Sequence, residues 1–224
     1  MKETDMPLFT IDASIAGKVT LAIFQAAELT ASGESPALEQ DLATLLAGVR
    51  ATYAEPAAAV ERFQPARALY RALGLDPTKN RPSSEALLRR VIKGRDLYRI
   101  NTIVDTCNLC SMDFALPIGL YDTTAVRWPA TLRPGREGEA YQGLGKDHVN
   151  VEGRYTLVDQ EGPFGNPSSD SFRTRIREDS THCTFAIFAP GDYPAARLAD
   201  HLAVAGERMI RYNGGKLLHQ ETIA

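Results

Sequence analysis

Three polar side chains at steps of four and three, Asn101, Asp105 and Asn108, stand within the stretch RINTIVDTCNLCSMDFALPIGLYD, Arg99 to Asp122. If Thr102 to Ala115 is helical, Ile103, Cys107, Cys110 and Phe114 form an apolar stripe beside them. One helix face is then greasy and the adjoining one is carboxylate and amide. Buried amides and carboxylates left without partners cost about 1–3 kcal/mol each. The polar stripe must therefore face either a satisfied internal hydrogen-bond network or a pocket, and spacing alone leaves both open.

Other residues of suitable chemistry are weaker. Cys107 and Cys110 form a CxxC, a spacing that can hold zinc or cycle as a disulfide, but no second CxxC or CxxH follows. On the apolar stripe they read as small hydrophobes. Gly143 to Lys146 fails as a phosphate loop, because Ala140 stands where the first glycine belongs and Asp147 where Ser or Thr would hold magnesium. His148, His182, His201 and His219 lack metalloprotease spacing. DSFRT, Asp170 to Thr174, is a second polar cluster that fits a turn with a surface ion pair. SSEALLRRVIKG with Arg81, Arg95 and Arg99 is the most basic segment. It fits a solvated helix face, or a phosphate-contacting patch supplying affinity without sequence readout.

The elements that must position these groups follow from periodicity and breakers. Leu8 to Ile15 and Lys18 to Leu29 read as opening strands, Ala31 to Pro36 as a turn, and Pro36 to about Tyr53 as a helix. Ala66 to Leu75 reads as a helix with Arg67 and Arg71 wet, closed by Gly74. Glu85 to Lys93 reads as a helix capped by Ser83 or Ser84, with Arg89, Arg90 and Lys93 exposed. Beyond Asp122, strands are expected at Thr123 to Val126, Ala130 to Arg133, Glu139 to Tyr141, Tyr155 to Asp159 and Thr181 to Phe188. Glycine and proline clusters such as EGPFGNPSS separate them. Pro194 to Tyr212 returns to helix, and Lys216 to His219 can close as a strand. Helices on both sides of a block of strands predict an α+β fold.

Composition bounds the partners. Apolar residues are 44% and charged residues 24%, ordinary for a globular chain, and the net charge of −3 supplies no global attraction for nucleic acid. No run approaches the roughly 18 apolar residues of a membrane span, and MKETDMPLF lacks the apolar core of a signal peptide. Three cysteines suit a reducing compartment, so a cytoplasmic location is expected.

The residues Ile100, Asn101, Val104, Asp105, Asn108, Pro117, Ile118, Tyr121 and Asp122 carry a resemblance. Their spacing is similar to the INxxVDxxN and Pro-(Leu/Ile)-x-x-(Tyr/Phe)-Asp pattern of the B3/B4 domain. That domain is the tRNA-binding and editing module of the phenylalanyl-tRNA synthetase β-subunit. The resemblance spans roughly residues 65–220, with residues 1–64 expected to pack as part of the same unit. It implies a β-sandwich-like core of mixed sheets flanked by helices. It also implies a stand-alone module, with a complete ligase not expected. In the synthetase the module hydrolyses tyrosine wrongly esterified to phenylalanine-specific tRNA; the extra hydroxyl is what a polar pocket can hold. Such an ester is already activated and needs only a positioned water and a stabilised carbonyl.

Carried over, the resemblance implies catalytic roles for Asn108 and Asp105. It implies substrate contacts from Asn101, Gly119, Tyr121, Asp170 and Arg173, and RNA contacts from Arg81, Arg89, Arg90, Lys93, Arg95 and Arg99. The family's pocket histidine falls on Gly119, which has no donor, acceptor or base, and a family glutamate falls on Ala186. Asp170 is expected to receive the α-amino group of an aminoacyl ester, and Arg173 to orient it or meet the terminal adenosine phosphate. The expected partner is the 3′ aminoacyl end of a tRNA, without membrane, DNA, metal or cofactor. Three readings stand: a trans-acting editor of mischarged tRNA, a non-catalytic RNA-binding module, and an amino-acid or small-molecule binder.

Overall fold

The computed structural model describes residues 8–31 and 34–224, with Lys146 and Asp147 described by their backbone alone. The reading of the first seven residues, the tip of the turn at 32–33 and the side chain of the Gly143 to Lys146 loop's lysine lie outside the described residues.

Strand β1 (Phe9–Ile11) turns through a short 3-10 segment into β2 (Val19–Ala27), all nine of whose residues are buried. Four helices follow: α1 (Pro36–Thr52), α2 (Val60–Ala72), α3 (Ser83–Ile92) and α4 (Thr102–Phe114). The strand block comprises β3 (Ile118–Asp122), β4 (Ala130–Pro134), β5 (Ala140–Gly143), β6 (Lys146–Asn150), β7 (Tyr155–Asp159), β8 (Gly162–Asn166), β9 (Ser169–Asp170) and β10 (Cys183–Pro190). Helix α5 (Ala195–Asn213) and strand β11 (Lys216–Ile223) complete it.

Two sheets face each other. One runs β1-β4-β7-β8-β9 and the other β11-β2-β10-β3, with β5 and β6 as a separate hairpin. The first is mixed, because β1 lies parallel to β4 while the remaining pairs are antiparallel. Leu21, Ile23, Tyr121 and Phe188 of one sheet pack on Leu132, Leu157 and Phe164 of the other. This is the α+β, sandwich-like core that the sequence pattern and the resemblance predict.

Helix α4 is the hinge of the architecture. Ile103, Cys107, Cys110 and Phe114 pack on the β11-β2-β10-β3 sheet, as the stripe predicts. Its opposite face sets Leu109 and Met112 against α1, α3 and Phe63 of α2. Buried on two sides, the helix leaves only a narrow edge for its polar residues. Ala115, at φ 56, stops it in the left-handed conformation, and Pro117 follows.

Several expectations fail for identifiable reasons. Thr123 to Val126 is not a strand: Thr123–Ala125 is a 3-10 turn, because the Asp122 carboxylate accepts from the Thr124 amide and hydroxyl at 3.0 and 2.6 Å. The first strand stops at Ile11 because Asp12 does the same for Ser14. Ser83 and Ser84 do not cap α3; they form its first turn behind Pro82, and both hydroxyls are buried without a hydrogen-bond partner among the described residues. EGPFGNPSS is not all loop, since Gly162–Asn166 is β8. Its Gly165 is needed where it stands, as a Cβ there would come within 2.5 Å of the Tyr121 ring and hydroxyl. Arg67 is not wet: it makes a double hydrogen bond to buried Glu85, at 2.7 Å for each contact.

Candidate functional site

A cavity of about 460 Å³ lies along the free edge of α4. Its walls are mostly apolar, with Val104 and Cys107 from α4, Ile118 and Leu120 from β3, and Ile176. Strand β3 is the outer strand of its sheet, so the hollow can wrap around it. A second hollow of about 290 Å³ adjoins it, running past Asn166 to Ser169 and sharing Ser83, Ile118, Leu144 and Asp170. The larger volume is within the usual range of small-molecule sites, about 300–1,000 Å³.

Polar groups converge on this space from different elements. Asn108 projects from α4 and makes no side-chain hydrogen bond to any described residue, so its amide is available. Ser111 is committed elsewhere, donating to the Leu116 carbonyl at 2.9 Å. The Ser83 hydroxyl, on the wall common to both hollows, is buried and has no partner among the described residues. Asp170 is placed by main-chain pairing on both sides, with Gly165 of β8 opposite it and the Leu144 amide donating to its carbonyl at 3.3 Å. It has no cationic partner among the described residues.

That isolation shapes the electrostatics. Burial pushes the Asp170 carboxyl up to about 7, and the Tyr121 hydroxyl works in the opposite direction. Cys107, Tyr121 and Tyr141 are all pushed up, chiefly by burial and secondarily by the Asp170 charge. Cys110 rises to about 12 by burial. Thiols held protonated in this way are poor ligands and nucleophiles, and no cluster of three metal-binding side chains occurs among the described residues.

The structure sorts the remaining candidate residues. Asn101 accepts from the Val104 amide at 3.0 Å and caps α4. Asp105 is buried under Arg99, whose Nε donates to it at 2.8 Å, and the Ile100 amide donates at 3.3 Å. Neither lines the cavity. Arg173 is also outside it, binding Asp159 at 2.9 and 3.0 Å and the Ala125 carbonyl at 2.9 Å. Gly119 belongs to β3, and a Cβ there would lie 2.2 Å from the Tyr121 hydroxyl. The Tyr121 ring thus fills the space a side chain at 119 would need. Its buried hydroxyl lies close enough to the Asp170 carboxylate to steady that charge, although no hydrogen bond of full geometry forms among the described residues. Ala186 pairs with Gly119 in the neighbouring strand, facing the other core.

The basic segment is largely neutralised from within. Arg89 and Arg67 bind Glu85 at 2.6 and 2.7 Å, and Arg81 approaches it at 3.9 Å. Burial opposes ionisation of Glu85, but the two close arginines outweigh it and hold its carboxyl below the usual value. Arg99 binds Glu39 as well as Asp105. Lys93 and Arg95 remain exposed without an acidic partner among the described residues, and Arg90 bonds only the Asp96 carbonyl and Tyr98. The histidines stand away from the cavity; His201, for instance, stacks on Phe114 at 4.2 Å. Reading the sequence missed Ser83, Leu144 and Arg175 as cavity residues, because loops after distant strands deliver two of them.

No helix among the described residues is long and apolar enough to cross a membrane. Comparison with curated proteins finds the phenylalanine–tRNA ligase beta subunits of Brucella abortus, Brucella suis and Brucella melitensis. Each is 31% identical over 86 residues, covering 38% of this chain and 11% of the relative. The chain thus spans about a tenth of the length of the curated relatives it matches. Among solved structures, an N-terminal fragment of the phenylalanyl-tRNA synthetase beta-subunit from Pyrococcus horikoshii aligns with a TM-score of 0.44. The identity is 12%, over 96% of this chain and 53% of that one. The B3/4 domain model matches residues 66–212, which carry α4, β3 and every residue placed above on the cavity wall, and the chain belongs to the B3/4 domain family.

Proposed function

We propose that this protein binds the aminoacylated 3′ end of a tRNA and hydrolyses the ester in the cavity beside Asn108. The observation that carries the reading is Asp170: a carboxylate on the wall of an apolar cavity with no cationic partner among the described residues. A half-buried carboxylate held against apolar walls is costly unless something pairs with it. The α-ammonium of an aminoacyl ester supplies that charge, and the apolar walls take the amino-acid side chain. The kinship with tRNA ligase beta subunits supports the tRNA as carrier.

In this arrangement Asn108 holds a water against the ester carbonyl. The water oxygen bonds to the carbonyl carbon, the ester C–O bond breaks, and the ribose oxygen leaves with a proton. Asp105 serves by fixing the start of α4 through Arg99, which keeps Asn108 in place. A second reading, binding without hydrolysis, is favoured by one observation: Asp105 is locked in an ion pair and Gly119 offers no side chain, which leaves few groups to activate water.

A deacylation assay separates the two. Tyrosyl-tRNA, phenylalanyl-tRNA and a panel of other mischarged tRNAs are mixed with wild type and Asn108→Ala. Hydrolysis that disappears in the variant supports the editor, and binding of acylated tRNA without hydrolysis supports the second reading. Indifference to every acylated tRNA overturns both.

A further inference from the structure

Large apolar side chains are exposed at few places among the described residues, and four of them are Tyr98, Ile100, Leu144 and Phe172, two of which line the cavity while the other two stand next to residues that do. Ile100 and Leu144 line it. Tyr98 precedes Ile100 by two residues, and Phe172 precedes the cavity residue Arg175 by three. Tyr98 is 71% exposed and Phe172 43%, levels at which an aromatic ring contributes little to folding.

Each ring carries a guanidinium. Arg90 sits 4.0 Å over Tyr98, and Arg175 sits 3.5 Å over Phe172. Main-chain oxygens pin both planes: Arg90 Nε donates to the Asp96 carbonyl at 2.5 Å, and Arg175 Nη1 to the Phe172 carbonyl at 2.6 Å. Neither arginine has an acidic partner among the described residues, in contrast to Arg67, Arg89 and Arg99. One pair joins α3 to the segment that leads into cavity residue Ile100, the other lies in the turn after β9 that ends at cavity residue Arg175, and exposed Lys93 and Arg95 add charge near the first.

We propose that the Arg90–Tyr98 and Arg175–Phe172 pairs are stacking platforms for the unpaired nucleotides of an RNA single strand entering the cavity. The proposal rests on the RNA reading above and adds how the strand is held. A pre-formed, cationic, planar surface matches a base face and the phosphate beside it, and it does so without choosing the base. The uncompensated positive charge at this rim, on a chain of net charge −3, favours a polyanion over an apolar peptide.

The test is fluorescence anisotropy with two short, unstructured, 5′-labelled ribo-oligonucleotides of different sequence. The proteins are wild type, Tyr98→Ala, Phe172→Ala and the ring-preserving Tyr98→Phe and Phe172→Trp, with thermal melts as folding controls. Both oligonucleotides should bind wild type with similar affinity. Each alanine variant should weaken binding about 5- to 150-fold, and the ring-preserving variants should stay within about two-fold. Absence of oligonucleotide binding, or equal binding by the alanine variants, overturns the proposal. So does saturable binding of an apolar peptide at these residues with no oligonucleotide binding, which assigns the rim to a protein. The oligonucleotides carry no amino acid. Platforms that bind them while acylated tRNA is ignored uphold this inference and overturn the ester reading.

Discussion

Replacing the Asp170 carboxylate by the neutral amide of asparagine tests whether the cavity strains a charge in the absence of ligand. Burial raises this carboxyl from an ordinary 3.8 to about 7, so the folded protein holds the proton more tightly than the unfolded chain does. Between roughly pH 4 and pH 7 the native state therefore carries more protons, and stability falls as pH rises through that window. Below it the penalty is absent, and above pH 7 it is complete. The gap corresponds to at most about 4 kcal/mol, and water reaching one side of the group through the cavity reduces it to about 1–2 kcal/mol. The amide variant carries no such charge. Thermal unfolding of both proteins from pH 4.5 to 8 should show Asp170→Asn gaining on wild type as pH rises, by about 3–6 °C for a chain of this size. Parallel profiles would refute the reasoning, because they would mean the carboxylate is well solvated or already paired.

Three further outcomes follow from the packing. Gly119→Ala should cost about 1–3 kcal/mol in chemical denaturation, since its Cβ would lie 2.2 Å from the Tyr121 hydroxyl. Tyr121→Phe should recover part of the Gly119→Ala loss, because it removes the hydroxyl that lies nearest the new Cβ. Glu85→Gln should destabilise by about 2–4 kcal/mol in the same assay, as it strips Arg67 and Arg89 of their shared carboxylate.

The sequence made the organising helix legible because its stripe has one period and strong stops. Ile103, Cys107, Cys110 and Phe114 face the sheet as their spacing requires, and Asn101 and Ala115 bound the helix. The family pattern located the same stretch. What periodicity could not convey was how the polar edge divides. Asn101, Asp105 and Asn108 look alike in sequence, yet Arg99 and the helix end claim the first two and only the third meets the cavity. The partners that decide this, Glu39 and Arg99, lie 60 residues apart. The basic segment hid its pairing in the same way, because Glu85 draws Arg67, Arg81 and Arg89 around a buried point that charge counting cannot reveal. Strand β8 hid behind its glycines, of which Gly165 admits the Tyr121 ring and Gly162 takes a positive φ.

The claim on which the account depends is that an aminoacyl group sits between Asn108 and Asp170. Calorimetric titration with a non-hydrolysable 3′-aminoacylamino-adenosine, in which an amide replaces the ester, measures this directly. Saturable one-to-one binding to wild type, weakened at least about ten-fold by Asp170→Asn through loss of the charged pair, is the predicted result. Absence of binding across a panel of apolar and aromatic aminoacyl groups, or affinity untouched by Asp170→Asn, would contradict it.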